Sequence, residues 1–304
     1  MYDIIIVGGG PAGLCAALYA RRAEKTVLII EKGGFGGQIT YSPKVENYPG
    51  YESISGNELA DKFVEQVLAQ GADVELSKVL SVSEDSDGIK TVKTEDGEYR
   101  SKAVIIATGA KHRMLGIENE EKFVGEGISF CAVCDGAFYK DKDVAVIGGG
   151  NSALQEAILL SDVCKTVTVV QNLPFLTGEK KLAEQLLNKA NVSVIYGATV
   201  NSILSGGNGI FKGIKLNTED GEKELIVEGM FVAIGLLPQN EEFKNLIDTD
   251  SFGYADSDES CTTKTKGVFV AGDCRKKRIR QVSTATSDGA IAALAACDYV
   301  DSLK

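Results

Sequence analysis

Tyr2-Asp-Ile-Ile-Ile-Val-Gly-Gly-Gly-Pro-Ala-Gly13 and Asp143-Val-Ala-Val-Ile-Gly-Gly-Gly-Asn-Ser-Ala153 are two copies of one phrase, and their reading decides the fold. Each opens with a β-branched run of strand length, turns on three glycines and continues as a helical pattern, through Arg22 in the first copy and about Asp162 in the second. A second hydrophobic strand follows each, Thr26–Ile30 and Thr166–Val170. Strand–helix–strand units of this kind build parallel sheets with right-handed crossovers. Each copy also owns a late strand that ends in small residues, Ala103–Gly109 and Met230–Gly235. Charged stretches with glycine turns, Glu84–Tyr99 and Asn217–Lys223, predict β-hairpins. The final third holds a strand running into Gly272-Asp273 and an alanine-rich helix over about Thr284–Tyr299. The predicted class is α/β, with two Rossmann-like (three-layer ββα) nucleotide-binding-type domains.

Composition narrows the function. The 304 residues leave room for two domains, and 44% hydrophobic with 25% charged residues is ordinary for a globular chain. Apolar runs such as Ala103–Ala107 are strand-length, far short of the roughly 18–20 residues of a membrane span. A net charge of −11 argues against nucleic acid or an anionic membrane as partner. Seven scattered cysteines are not a secreted disulfide framework and point to a reducing compartment. The chain enters a strand directly from Met1, so a cytoplasmic location is expected.

Gly8-x-Gly10-x-x-Gly13 follows a strand and opens a helix, the context a dinucleotide-binding turn requires. Gly8 permits the tight turn, Gly10 lets backbone approach a pyrophosphate, and Gly13 lets helix pack on sheet. The helix start then offers free N–H groups and a positive dipole end to phosphates. Glu31, ending the second strand, is placed to accept hydrogen bonds from an adenosine ribose. Val268-Phe-Val-Ala-Gly-Asp-Cys274 and Ala107-Thr108-Gly109 indicate FAD rather than NAD, because a Gly-Asp after a late strand suits a long flavin running back across the domain.

Cys131-Ala-Val-Cys134-Asp135 sets two thiols within bridging distance in one turn, the arrangement of reversible dithiol–disulfide chemistry. Asp135 beside them is a candidate acid for the proton that disulfide reduction consumes. Half a zinc site is the competing reading. It needs a second close pair or a nearby histidine, whereas the sole histidine, His112, lies far upstream. No metal is expected. The other five cysteines read as small buried apolar residues.

Seven phrases together carry a family resemblance: Gly8-Gly-Gly-Pro-Ala-Gly13, Gly36-Gly-Gln38, Val45-Glu-Asn-Tyr-Pro-Gly50, Ala107-Thr-Gly109, Cys131-Ala-Val-Cys-Asp-Gly136, Gly272-Asp273 and Arg280-Gln-Val282. Over essentially its whole length the chain resembles the low-molecular-weight thioredoxin reductases. The resemblance implies a homodimer, with thioredoxin as the electron acceptor. It implies a discontinuous FAD-binding domain of residues 1–113 and 241–304, with a central redox-disulfide domain of residues 114–240 inserted into it. The two domains would rotate so that the disulfide meets the flavin in one orientation and thioredoxin in the other. Carried over by position, Cys131, Cys134 and Asp135 are the catalytic group. The FAD-contacting set is Gly8, Gly10, Pro11, Ala12, Gly13, Glu31, Lys32, Gly36, Gly37, Gln38, Asn47, Ala107, Thr108, Gly109, Gly272, Asp273, Arg280, Gln281 and Val282.

The chain departs from the family at the electron donor. NADPH-using members follow the central unit's second strand with a His-Arg-Arg stretch and a further Arg that grip the 2′-phosphate. Here the stretch is Val170-Gln-Asn-Leu-Pro-Phe-Leu-Thr-Gly178, and no arginine occurs between Arg113 and Arg275. Losing two or three charge-assisted hydrogen bonds weakens NADPH binding by roughly 3–8 kcal/mol. NADH fares no better, since the strand ends in Gln171 and Asn172 rather than an acid for the free 2′-hydroxyl. In what it lacks, the sequence resembles the ferredoxin-dependent members. A plant-type ferredoxin at about −400 mV lies about 130 mV below thioredoxin, roughly 6 kcal/mol downhill for two electrons. The basic run Arg275-Lys-Lys-Arg278 with Arg280 is the candidate docking patch for an acidic ferredoxin. Three alternatives stay open: NADPH or NADH through an atypical site, a ferredoxin–NADP-type oxidoreductase, and a flavin-binding redox sensor or interaction module.

Overall fold

A computed structural model describes residues 1–42, 44–207 and 209–303. The chain divides into two compact units, one of Met1–Lys111 with Leu237–Lys304, the other of His112–Leu236. The expected boundaries after 113 and 240 therefore move a few residues towards the N-terminus. Asn240 shows why: it is 1% exposed, and its amide donates to the carbonyls of Gly253 and Cys274 in the first unit.

In the first unit, β1 (Tyr2–Val7) leads into α1 (Pro11–Arg22) and β2 (Val27–Glu31). After α2 (Gly56–Ala69) come β3 (Asp73–Leu76), β4 (Val79–Glu84), β5 (Lys90–Thr94) and β6 (Glu98–Ile106), and β7 (Ala110–His112) ends the segment. The strand order is β3-β2-β1-β6-β5-β4. β6 serves two partners. Its first half pairs antiparallel with β5, while Val104–Ile106 pairs parallel with the late strand Val268–Val270. Alternation along the strands gives the sheet two buried faces. Ile4, Ile6, Ile29 and Ile105 face the alanines of α1 and of the C-terminal helix. Ile5, Val7, Leu28 and Ile30 face Val79, Val82 and Val92 of the antiparallel arm. This is the expected three-layer arrangement.

The second unit repeats the plan. It holds β8 (Ile128–Ser129), α3 (Ala132–Asp135), β9 (Asp143–Ile147), α4 (Asn151–Ser161), β10 (Thr166–Val170), α5 (Lys180–Leu187) and β11 (Val192–Ile195). The meander β12 (Thr199–Ser205), β13 (Phe211–Thr218) and β14 (Gly221–Ile226) precedes β15 (Gly229–Val232), and β16 (Leu236–Pro238) carries the chain into the first unit. The parallel sheet runs β11-β10-β9-β15-β8, and β12-β13-β14 form a separate antiparallel sheet. Val144, Val146 and Val167 face α4 on one side; Ala145, Ile147 and Val170 face Ile214 and Leu216 of the meander on the other. The chain closes with β17 (Val268–Val270) and α6 (Val282–Ser302), a longer helix than its alanine pattern predicted. Among the described residues no helix is long and apolar enough to cross a membrane.

Candidate active site

The first glycine turn gathers segments that lie far apart in sequence. Gly8 has φ +112°, which only glycine adopts at ease, and a Cβ there would overlap the Ala107 carbonyl. A Cβ at Gly13 would meet the Gly8 carbonyl, so both glycines exist for close approach. Gly37 stacks on Gly10, a Cβ on it falling 3.3 Å from the Gly10 Cα, and the Gly36 N–H donates to the Gly9 carbonyl at 2.8 Å. Gly272 lies against Ala12, which brings the Gly-Asp turn to the start of α1. The Asn47 amide donates to Gln281 Oε1 at 3.2 Å, and Gln281 in turn caps α6, so Val282 begins that helix. Arg280 stacks over the Tyr254 ring at 4.2 Å and reaches the Asp273 carbonyl. The predicted set thus converges within one unit, while Lys32 is exposed and donates to Gln239 at 3.5 Å.

Glu31 has a task the sequence did not disclose. Its carboxylate accepts from the N–H groups of Gly9 (2.7 Å) and Gly33 (2.9 Å), so it holds the glycine turn. A carboxylate has about four acceptor positions, which leaves two for ribose hydroxyls. Two buried side-chain oxygens in this cluster, Thr108 Oγ1 and Asp273 Oδ1, have no hydrogen-bond partner. The Lys277 ammonium is 3.6 Å from the latter, an ion-pair distance. Buried polar atoms are normally satisfied. Orphans around a backbone concavity with nothing within 4 Å of a Gly109 Cβ are what a polar cofactor would complete. The residues fit FAD.

Burial raises the Asp273 carboxyl against the pull of Lys277 and Arg280. Beneath the same turn, Asp288 of α6 accepts from the Gly272 N–H at 3.0 Å, from Arg275 at 2.9 Å and from Lys277 at 3.0 Å. This removes two of the five cations of the expected docking patch. Arg275 is 4% exposed and the Lys277 side chain 9%, both turned inward onto Asp288. Lys276 pairs with Asp256 at the surface. The density of positive charge in the sequence neutralises one buried aspartate.

The second unit carries the sulfur pair. Cys131 and Cys134 form a disulfide with their Cα atoms 5.3 Å apart, and Cys131 caps the single turn of α3. Ser129, which sequence reasoning missed, organises the group: its hydroxyl donates to Asp135 Oδ2 at 2.6 Å and accepts from the Cys131 N–H at 3.1 Å. Asp135 Oδ1 is buried without a partner, and desolvation raises this carboxyl although the Ser129 bond opposes it. A carboxyl whose acid form burial favours, next in sequence to a disulfide cysteine, is chemically able to donate a proton to a departing sulfur. Glu156 of α4, also missed, has a buried oxygen, Oε2, without a hydrogen-bond partner, and burial raises its carboxyl to about 8. It had no sequence signal, being one more acid on an amphipathic helix. The free cysteines other than half-buried Cys15 are buried, and burial raises the Cys164 and Cys261 thiols to about 11 and about 12, as expected of inert packing residues. Among the described residues no three metal-ligating side chains cluster.

The glycine turn of this unit resembles the first in backbone, with Gly148 at φ +129° under the Ala233 carbonyl. Its surroundings differ. Gln171 is 4% exposed and lies over Gly149, its amide donating to the Phe175 carbonyl and accepting from the Asn172 N–H. The N–H groups of Thr177 and Gly178 both donate to the Gly149 carbonyl. Glu179 exchanges two hydrogen bonds with Asn151, the first residue of α4. Among the described residues no side-chain atom of the turn Gly148–Ala153 is buried without a partner.

A family model for pyridine nucleotide-disulphide oxidoreductases matches residues 2–289. The chain belongs to that family. It is 41% identical over 305 residues to a thioredoxin reductase of Listeria monocytogenes, covering 100% of this chain and 95% of that one. It is 44% identical over 299 residues to a 34.2 kDa protein in a rubredoxin operon of Clostridium pasteurianum, with 98% and 97% covered. It superposes on the thioredoxin reductase of Streptococcus pyogenes with a TM-score of 0.94 at 41% identity, over 99% of each chain.

Proposed function

We propose that this oxidoreductase is a flavin-dependent thioredoxin reductase in which electrons pass from ferredoxin to FAD, to the Cys131–Cys134 disulfide and to thioredoxin. The observation that carries the reading is the disulfide set against Asp135, in a chain whose first unit holds an unsatisfied polar cradle. FAD would be held by the Gly8–Gly13 turn, Glu31, Gly36–Gln38, Thr108 and Asp273, with Asn47, Arg280 and Gln281 beside them. When bound, it supplies the two-electron reduction of the disulfide. Ser129 orients Asp135, and Asp135 protonates the sulfur that leaves. The freed thiol then attacks the disulfide of the small acceptor protein.

The donor rests on the second glycine turn. Its covering segment lacks both arginines and the strand-end acid, and Glu179 brings a carboxylate to the start of α4, where a pyrophosphate would need the opposite charge. An iron-protein donor agrees with the Clostridium relative, whose name places it in a rubredoxin operon. With the docking patch reduced to Lys276, Arg278 and Arg280, ferredoxin would meet fewer charges than the sequence suggested. A homodimer and a cytoplasmic location belong to the same reading. The retained Gly148-x-Gly150-x-x-Ala153 turn favours the second reading, NADPH or NADH as donor. Adding each donor anaerobically to the flavin-loaded protein decides between them. Bleaching of the flavin by reduced ferredoxin and not by micromolar NADPH or NADH is expected; rapid bleaching by NADPH overturns the donor. Bleaching with no thioredoxin reduced would leave a redox sensor.

A further inference from the structure

Two carboxyl groups lie on α3 and α4, the helix of the Cys131–Cys134 disulfide and the helix packed against it, and each has one buried oxygen without a hydrogen-bond partner, Asp135 Oδ1 and Glu156 Oε2. Asp135 belongs to α3, and its other oxygen takes the Ser129 hydroxyl. Glu156 belongs to α4, held in the core by Ala153, Leu154, Ala157 and Leu160, and α4 packs against α3. An ionised carboxylate only accepts, so burying an oxygen with no donor penalises the charged form. Burial pushes the Glu156 carboxyl up to about 8, with the Asp135 charge adding to it. Tyr139 faces Asp135 from the next turn; burial and that charge push its phenol up to about 12. Cys164 also faces Tyr139, and the Lys142 ammonium lies over its ring, 5.5 Å from the centre.

We propose that Glu156 governs the acid step at Asp135: as a neutral acid it lets Asp135 release its proton to the departing sulfur, and as a carboxylate it holds that proton back. The inference rests on the reading of the sulfur pair as redox-active. Opening the S–S bond takes two electrons and two protons and leaves two thiols. The electrons come from the flavin, one proton from Asp135 and one from solvent, and solvent refills Asp135. With Glu156 neutral, the step leaves a single negative charge in the pocket. With Glu156 ionised it leaves two, and neighbouring carboxylates raise one another's pKa by about one unit or more. Glu156 touches no reacting atom. It is a positioning residue that acts through Asp135.

The test compares wild type with Glu156→Gln, which nearly keeps the side chain's size and shape and cannot ionise. On the full-length, flavin-bound protein, dithiothreitol opens the disulfide between pH 6 and 9.5, and alkylated thiols are counted by mass. Rates are corrected for the ionisation of dithiothreitol itself. The wild-type profile should carry a roughly tenfold fall centred near pH 8, the equivalent of one pKa unit, and the E156Q profile should lack that step. Superimposable profiles overturn the proposal and leave the reductase reading intact. A disulfide that dithiothreitol never opens takes both down. Should E156Q not fold, carbon-13 carboxyl NMR of glutamate-labelled wild type decides instead. One glutamate titrating near pH 8 supports the proposal; all of them titrating below about pH 6 overturns it.

Discussion

The two glycine turns share a backbone and differ in what surrounds it. Gly8 and Gly148 both take positive φ beneath a strand-end carbonyl, and both are followed by a helix. The first turn is tied by an acid, Glu31, and is ringed by two buried oxygens that lack partners. The second is covered by Gln171 and residues 172–179, whose polar groups satisfy one another. A glycine turn is therefore a packing device first. Binding depends on the acid at the end of the second strand and on polar groups left unsatisfied without a ligand.

The comparison is broken most severely at the sulfur pair, the chemistry that the second unit keeps. Replacing Cys131 or Cys134 by serine should lower thioredoxin turnover by on the order of 10³-fold or more, with the flavin spectrum retained. Turnover at wild-type rate would contradict the assignment. Next come matched substitutions in the two turns. Gly8→Ala and Gly148→Ala each force a Cβ onto a carbonyl at positive φ, at a cost of about 1–3 kcal/mol. Thermal melts should show similar losses, but only G8A should purify depleted of flavin. Equal flavin loss in both would erase the distinction. Smaller still is the effect of giving the second turn what it lacks. Asn172 and Leu173 are exposed, so Asn172→Arg with Leu173→Arg should tighten NADPH binding about tenfold or more through charge-assisted contacts, measured by calorimetry.

The smallest effect compares equivalent carboxylates at the starts of β1 and β9. Asp3 opposes its own desolvation with bonds to Lys102 and Thr26 and is lowered to about 2. Asp143 is lowered as well, by Thr166 and Lys165. A carboxyl lowered on folding stabilises above its unfolded pKa, and that contribution disappears as pH falls through the folded value. Asp3→Asn should therefore lose stability at neutral pH, and the difference from wild type should vanish between about pH 4 and 2. For partly solvated pairs the effect is below about 1 kcal/mol, and Asp143→Asn should show less.

What was legible in the sequence was local. Repeated strand–glycine–helix phrases, hairpin turns and a Cys-x-x-Cys pair each declare themselves within a dozen residues, because backbone sterics and periodicity act at that range. What was illegible depends on residues that folding brings together. Nothing near Arg275 or Lys277 reveals that Asp288, on another element, turns them inward. Glu156 looks like any helix-surface acid until α3 is laid against α4. The Gly-Asp turn was legible as a cofactor element; the ion cluster beneath it was not.

The most direct test of the central claim counts electrons. Anaerobic titration of the flavin-loaded protein with dithionite, followed at the flavin absorbance, should consume about four electrons per chain in wild type and about two in Cys131→Ser, since a flavin and a disulfide each take two. Equal uptake of about two electrons by both proteins would mean that the sulfur pair does not exchange electrons with the flavin, and would contradict the account.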